Sequence, residues 1–502
     1  MADAAAAVGD KKSAGQMIKQ YFIDFKVLKD NPREYWSIQI VNFLDSAAYF
    51  AMFAIVSILL SQEEVGFIWG DTPEDQDIMP GYVLTAFTLA VTVSLFFMGF
   101  ITDTLGIKKS LSISMLLQAV TRVGVVACGF IHEIPGREWI AAGCLVLWAP
   151  GMAMGLAVYQ SSNRRFSSTR SRAASFLIWY MVMNIGAAVG GLSVDFFRHT
   201  LGLPNRTYVF IFAAGLSFLA FILNQLLIRK VVQVRSEDED EQEAKKQDEL
   251  AQQKLEEGII GRFLAMVREP AFWRLVVIIV ATVGVRAAFI YMYTLAPKYW
   301  ERVIGKEVAL GTLQSLNPFL IVIFSILFVP LANKFNVYKM LIGGAFVSAI
   351  SLFFLAVPYQ TFGNDVVVSY YAMSILFLVM LSFGEIVWSP KLQEFTAAIA
   401  PQGQEGAYLG MSMVPWFFAK FLVSFLSGHM LVRWCPEGVG EPIREGTLSY
   451  WEGPEAMWLI LAIWAVSGPV IGLIFKGWLT RGIDLDPPDV KKRKQEAAEA
   501  EA

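Results

Sequence analysis

Long apolar runs separated by short polar interruptions dominate this chain. Runs of roughly 20 residues are what a helix needs to cross about 30 Å of hydrocarbon. They start near Trp36, Gly81, Leu111, Trp139, Phe176, Tyr208, Trp273, Thr312, Met340, Tyr370, Ala407 and Met457. The pattern predicts an all-α integral membrane protein with twelve spans. The first 34 residues are polar, with no apolar core ahead of a small-residue cleavage site, so the first run is expected to stay as a permanent span.

Composition agrees with the pattern. Of 502 residues, 55% are hydrophobic and only 17% charged, with a mean hydropathy of +0.50, whereas soluble domains are about a quarter charged. A formal charge of −3 gives no general affinity for nucleic acid. Cys128, Cys144 and Cys435 are too scattered for a disulfide or metal framework.

Basic residues in short loops set orientation, because they are retained on the cytoplasmic side. They gather before span 1 (Lys11, Lys12, Lys19, Lys26, Lys29, Arg33), after span 2 (Lys108, Lys109), after span 4 (Arg164, Arg165, Arg170, Arg172) and in the tail KKRK at 491–494. The alternate loops EEVGFIWGDTPEDQD (63–77) and QTFGND (360–365) have none. Both termini are expected in the cytoplasm, with the chain in the plasma (cell inner) membrane.

The longest hydrophilic connection, which contains SEDEDEQEAKKQDELAQQKLEEG, divides the spans six and six. This gives an N-terminal segment 1–34, a bundle 35–230, a charged linker 231–268, a bundle 269–480 and a tail 481–502. The linker reads either as an exposed helix or as disordered chain. Related halves are common in transporters, and a weak repeat is present. GFITDTLGIKKSL (99–111) follows span 2, and FVPLANKFNVYKML (328–341) follows span 8, with Asp103 opposite Asn333, Gly106 opposite Asn336 and Lys109 opposite Lys339.

The first of these segments resembles the G-x-x-x-D-x-x-G-R-K loop of the major facilitator superfamily, through Gly99, Asp103, Gly106, Lys108 and Lys109. The resemblance implies a fold of two six-helix halves, with these residues forming a conformational latch.

Charged residues within spans cost roughly 2.5–3.5 kcal/mol each on insertion scales and therefore tend to face a cavity or a partner. Five stand out: Asp45, Arg122, Arg286, Glu385 and Lys420. Asn42, Asp45, Tyr49 and Phe53 share one helix face, as do Arg286, Phe289 and Tyr293. Arg286 among aromatics suits either an anionic substrate group or a pairing with Asp45 or Glu385. Lys420, one turn after Trp416, is expected either to exchange protons or to pair with a carboxylate. Arg122 reads as packing or an ion pair, and Pro318 in SLNPFL (315–320) as a kink.

Three further segments resemble the proton-coupled oligopeptide transporters. FLIWYMVMNIGAAVGG (176–191) is similar to F-x-x-x-Y-x-x-x-N-x-G, through Phe176, Tyr180, Asn184 and Gly186; LQSLNPFLIVIF is similar to the S-x-N-P segment; GEIVWSPKLQEFTAAIAP (384–401) is similar to G-E-x-x-x-S-P. The resemblance implies that Asn317 and Glu385 hold the amino end of a solute, with Trp388 of the same motif nearby. Span 1 departs from the family: NFLDSAAYFAMF (42–53) keeps an acid at Asp45 and an aromatic at Tyr49, but Asn42, Ser46 and Phe53 replace a glutamate and two arginines. The span 4 lysine is missing from APGMAMGLAVYQ (149–160), so Arg286 and Lys420 are candidates for relocated positive charge.

The expected function is therefore secondary transport of a small amino-bearing or peptide-like solute by alternating access. Proton coupling would run through Asp45, Glu385 or Lys420, and substrate contacts through Asn317, Glu385, Tyr49, Trp388 and Arg286. No cofactor, metal or nucleic acid is expected, and the chain is expected to act as a monomer in the bilayer. The alternatives are a non-transporting receptor or scaffold of the same fold, or a carrier for a non-peptide solute uncoupled from protons. No nucleophile, metal or phosphate-loop motif points to an enzyme.

Overall fold

The computed structural model describes residues 25–60, 66–167, 171–202, 207–228, 267–332, 335–401, 414–483 and 485–486. The expected linker 231–268 and the tail 481–502 fall almost wholly outside them. The first six long helices are α1 (Arg33–Leu59), α2 (Asp75–Leu105), α3 (Ile107–Phe130), α4 (Arg137–Arg165), α5 (Arg172–Asp195) and α6 (Thr207–Leu227). Next come α7 (Pro270–Thr294), α8 (Leu310–Ala332), α9 (Val337–Ile350), α10 (Val366–Ile399), α11 (Val414–Trp434) and α12 (Pro454–Ile474). Among the described residues, eleven helices are long and apolar enough to cross a membrane. The remaining one, α11, has 21 residues, and its expected start near Ala407 lies outside the described residues.

Helices begin a few residues before the apolar runs do, because polar residues at each end continue the helix past the hydrocarbon boundary. Local chemistry sets several ends. Gly106, at φ +78°, is the single residue between α2 and α3, a conformation open to glycine at little cost. At the corresponding turn the Asn336 side chain accepts from the Tyr338 and Lys339 amides and so caps α9. Pro270 and Pro454 occupy first helical positions, where the missing N–H costs nothing. The helix α8 continues past Pro318 to Ala332.

Packing repeats at an interval of six helices. α1 lies on α5 and α6, α3 on α4 and α6, and α2 on α4; likewise α7 lies on α11 and α12, α9 on α10 and α12, and α8 on α10. The two sets meet along two seams, α5 on α8 and α2 on α11. Small residues let backbones approach where lipid supplies no hydrophobic drive between helices. A methyl group at Gly190 would collide with the Ala47 carbonyl across α5 and α1, and one at Gly468 would collide with Ala281 across α12 and α7.

The end at which α1 starts is termed proximal and the opposite end distal. Both seams are tied distally. At one, Gly191 packs on Gly311, and the Asp195 carboxylate accepts from the Gly311 amide (2.8 Å), the Thr312 amide (2.7 Å) and the Thr312 hydroxyl (2.7 Å), capping α8 from the end of α5. At the other, Gly428 packs on the Asp77 backbone, and Tyr82 meets His429 at 3.1 Å.

Candidate functional site

Polar side chains inside the helices fall into two clusters. The first belongs to α1, α3, α4 and α6. Tyr159 donates to Asp45 Oδ2 at 3.0 Å, and Asp45 Oδ1 is buried without a partner among the described residues. Arg122 is 1% exposed; it donates to Ser217 Oγ and, at 3.0 Å, to Gln118 Oε1, and it stacks 4.9 Å from the Trp148 ring centre. Trp148 Nε1–H also donates to Gln118 Oε1, at 2.9 Å. Arg122 is close enough to Asp45 and Tyr49 for its charge to act on both. Of the two readings of Arg122, packing and ion pair, the geometry gives the packing; no ion pair within 4 Å joins it to Asp45 among the described residues, although its charge acts on that carboxylate.

Aromatic rings lead from this cluster to the second. Tyr49 stacks on Phe53 (5.2 Å) and touches Trp148 (5.6 Å); Phe50 and Phe53 meet Tyr293 of α7 at 5.7 and 5.8 Å. The face shared by Asp45, Tyr49 and Phe53 thus turns towards the other set of helices. Asn42, expected on that face, instead donates to the Trp179 carbonyl of α5 at 3.2 Å.

The second cluster centres on Glu385 of α10. Tyr180 of α5 donates to its Oε1 at 3.4 Å, and Asn317 of α8 approaches Oε2 at 3.5 Å while donating to Ser382 at 2.9 Å. One helical turn on, Trp388 is 1% exposed and donates to Ser348 at 3.2 Å. Arg286 lies 5.2 Å from the Trp388 ring centre and 5.5 Å from that of Trp416, whose ring also carries Lys420 Nζ at 5.0 Å. The structure thus brings together Asn317, Glu385, Trp388, Arg286 and Lys420, with Tyr49 across the interface. No ion pair within 4 Å joins Arg286 to Asp45 or Glu385 among the described residues, although Arg286 is close enough to Glu385 for their charges to act on each other.

The latch candidates sit apart from both clusters, at the proximal end. Gly99 and Asp103 lie in the last turns of α2, and Gly106 forms the turn. Lys108 donates to the Gln225 carbonyl at the end of α6 at 3.0 Å, a contact within one set of helices and favourable at a helix C-terminus. Lys109 is exposed. Asn333, the counterpart of Asp103, lies outside the described residues.

Sequence reading missed two kinds of residue. Tyr159 and Trp416 carry no charge to betray them, although Tyr180 falls in a quoted motif. The distal ties were missed because the charges lie at helix ends, where polar residues are ordinary. There Asp77 Oδ1 holds both Lys298 and Arg302 at 2.7 Å, and Arg302 also donates to the Cys435 carbonyl at 2.7 Å. Burial pushes the Lys298 ammonium below its ordinary range despite Asp77, so Lys298 gives up its proton before Arg302 as pH rises. Farther along, Arg198 reaches Glu301 at 3.5 Å.

Comparison with known proteins places this geometry. The sequence pattern of the Major Facilitator Superfamily matches residues 35–424. No curated protein matches the chain in sequence. Among solved structures, a bacterial homologue of the human drug peptide transporters PepT1 and PepT2 superposes with a TM-score of 0.66 at 15% identity, covering 89% of this chain and 99% of that one. The peptide transporter POT in complex with sulfate gives 0.64 at 18% identity, covering 90% and 95%. A POT family transporter in complex with 5-aminolevulinic acid gives 0.64 at 15%, covering 90% and 97%. At these identities the likeness is one of fold.

Proposed function

Because the chain belongs to the Major Facilitator Superfamily, a family of multi-pass membrane transporters rather than enzymes, we propose that it moves a small amino-bearing or peptide-like solute by proton-coupled alternating access. The observation that carries this reading is Glu385. It stands where the two sets of helices meet, its hydrogen-bond donors among the described residues being the neutral Tyr180 from one set and Asn317 from the other. The Arg286 charge acts on it, but no ion pair within 4 Å is formed among the described residues. A buried carboxylate without a close ion pair is costly among apolar helices unless something cationic visits it. A solute ammonium or a proton meets that need.

In this reading twelve spans form two bundles, 35–230 and 269–480, with both termini cytoplasmic in the cell inner membrane and a single chain as the working unit. The distal ties hold one gate shut. Release requires Asp77 to leave Lys298 and Arg302, and Asp195 to leave the start of α8, while the Gly99–Lys109 segment acts as the proximal latch. Asp45 and Glu385 take and release the coupled proton, with Lys420 in the relay. The POT transporter bound to 5-aminolevulinic acid supports a small amino-bearing cargo.

The test is uptake into liposomes under an imposed inward proton gradient, screened with dipeptides, amino acids and organic anions. The expected result is gradient-driven accumulation of at least one amino-bearing solute, lost in Glu385→Gln. Absence of flux for every solute in a folded, reconstituted preparation overturns the reading in favour of a receptor.

A further inference from the structure

We propose that the proximal end of each set of helices carries a site for the headgroup of an anionic phospholipid, held by Lys108 and Lys109 beside α3 and α6, and by Lys339 and Lys476 beside α9 and α12. Both sites lie outside the solute site and are independent of what the protein carries.

A cavity of about 460 Å³ opens at the start of α3, lined by Lys108, Lys109, Ser112 and Gln225 together with the apolar Leu105 and Ile113. Another, of about 520 Å³, opens at the start of α9, with Asn336, Lys339, Lys476, Thr480 and Asp486 among its walls. The two correspond under the repeat. α9 meets α12 as α3 meets α6, and Lys339 stands opposite Lys109. Basic residues are ordinary in short loops on one side of a membrane. That tendency supplies charge, but it does not place a lysine in a cavity at the same position of both halves.

The cations are open to a ligand. Lys109, Lys339 and Lys476 are exposed, and none has an ion pair among the described residues. Lys108 spends one of its three donors on the Gln225 carbonyl. Towards the middle of the membrane, the face that carries each lysine turns apolar and stays exposed. On α3, Lys109 is followed at helical spacing by the exposed Ile113, Leu116 and Val120. On α9, Lys339 is followed by Gly343, beside which there is open space, and by the exposed Ile350. A cation at the water boundary above an apolar outward lane matches a molecule with an anionic head and hydrocarbon tails. Basic pockets between spans at this level suit such headgroups.

The two sites differ in charge. Among the described residues no acid lines the α3 cavity, whereas Asp486 shares the α9 cavity and accepts from Asn336 at 3.1 Å. The α3 site is therefore the tighter of the two.

The test titrates the detergent-purified full chain with phosphatidylglycerol, phosphatidylcholine and glycerol 3-phosphate, and counts bound molecules by native mass spectrometry. Phosphatidylglycerol is expected at two sites of unequal affinity, with phosphatidylcholine about tenfold weaker or more. Lys108→Gln with Lys109→Gln should weaken the tighter site about 25-fold, roughly fivefold per lysine. Lys339→Gln with Lys476→Gln should act only on the weaker site, and Asp486→Asn should tighten it. Arginine at the four lysine positions should preserve binding. Equal retention of the two lipids, glycerol 3-phosphate binding as tightly as phosphatidylglycerol, or glutamine variants that bind like the wild type overturn the proposal. If a variant does not fold, the wild-type ranking of the three ligands decides alone.

Discussion

The two interior clusters contain the same chemistry arranged to opposite ends. Around Asp45, the cation is held by hydrogen bonds: Arg122 donates to an amide and a hydroxyl, stacks on an indole, and its charge acts on the carboxylate. Around Glu385, Arg286 and Lys420 are held by the indole faces of Trp388 and Trp416 and make no hydrogen bond among the described residues, although the Arg286 charge acts on Glu385. A buried charge with its partners supplied contributes to the fold, and one without them is held at a cost that only a visiting ligand offsets. The contrast teaches that depth in the membrane does not separate structural from functional charges. The state of their hydrogen bonds does.

The largest effect expected from this contrast is at Glu385. Glu385→Gln keeps shape and hydrogen-bonding capacity but loses the charge, and uptake of an amino-bearing solute should fall by about 30-fold or more, with little change in thermal stability. Initial rates in liposomes, normalised to folded protein, check this. Retained uptake would remove Glu385 from the solute site.

Next is a stability comparison between the two arginines. Arg122→Met takes the cation from beside Asp45 and a donor each from Gln118 and Ser217, and should destabilise the protein by about 1.5–3 kcal/mol, part of which Asp45→Asn recovers in the double variant. Arg286→Met breaks no hydrogen bond or close ion pair among the described residues and removes only a charge acting on Glu385, so it should lower the melting temperature less. Equal losses from the two substitutions would erase the distinction on which the site assignment rests.

Smaller still is the effect on the distal ties, which test whether closure at that end is a state or a fixture. Asp77→Asn leaves Lys298 and Arg302 together without an anion. The expected outcome is a longer mean distance between spin labels on α2 and α11, while the protein stays folded. Raising the pH should weaken the same tie in the wild type, because Lys298 deprotonates first, with Arg302 retaining the carboxylate.

Much of this was legible in sequence. Spans of apolar residues locate helices because lipid leaves a backbone no other way to satisfy its hydrogen bonds. Glu385, Asn317, Arg286 and Lys420 were found by the cost of polar groups in such spans and by motif. What the sequence left open was pairing. Nothing local says that Arg286 stacks on Trp388 rather than reaching Asp45, or that Arg122 faces Ser217 of α6, because these contacts join residues about a hundred positions apart. The Asp77 cluster was hidden differently, by lying where charged residues are commonplace.

The same contrast between paired and unpaired groups appears, at its smallest, in the two turns that the repeat aligns. Gly106 joins α2 to α3 through a left-handed backbone with no side chain, whereas Asn336 starts α9 by accepting two amides and also donates to Asp486 at 3.1 Å. The first turn is secured by conformational freedom, the second by hydrogen bonds. Asn336→Ala should therefore cost about 1 kcal/mol through the lost cap, and Asn336→Gly only a few tenths. Gly106→Ala costs instead in backbone strain, about 1–3 kcal/mol, because a positive φ with an extended ψ is essentially a glycine conformation. Asn336→Asp keeps the acceptor and should retain the cap, although it sets two carboxylates together at Asp486. A drop in melting temperature for the aspartate variant that salt reverses would show the Asp486 contact to matter more than the cap.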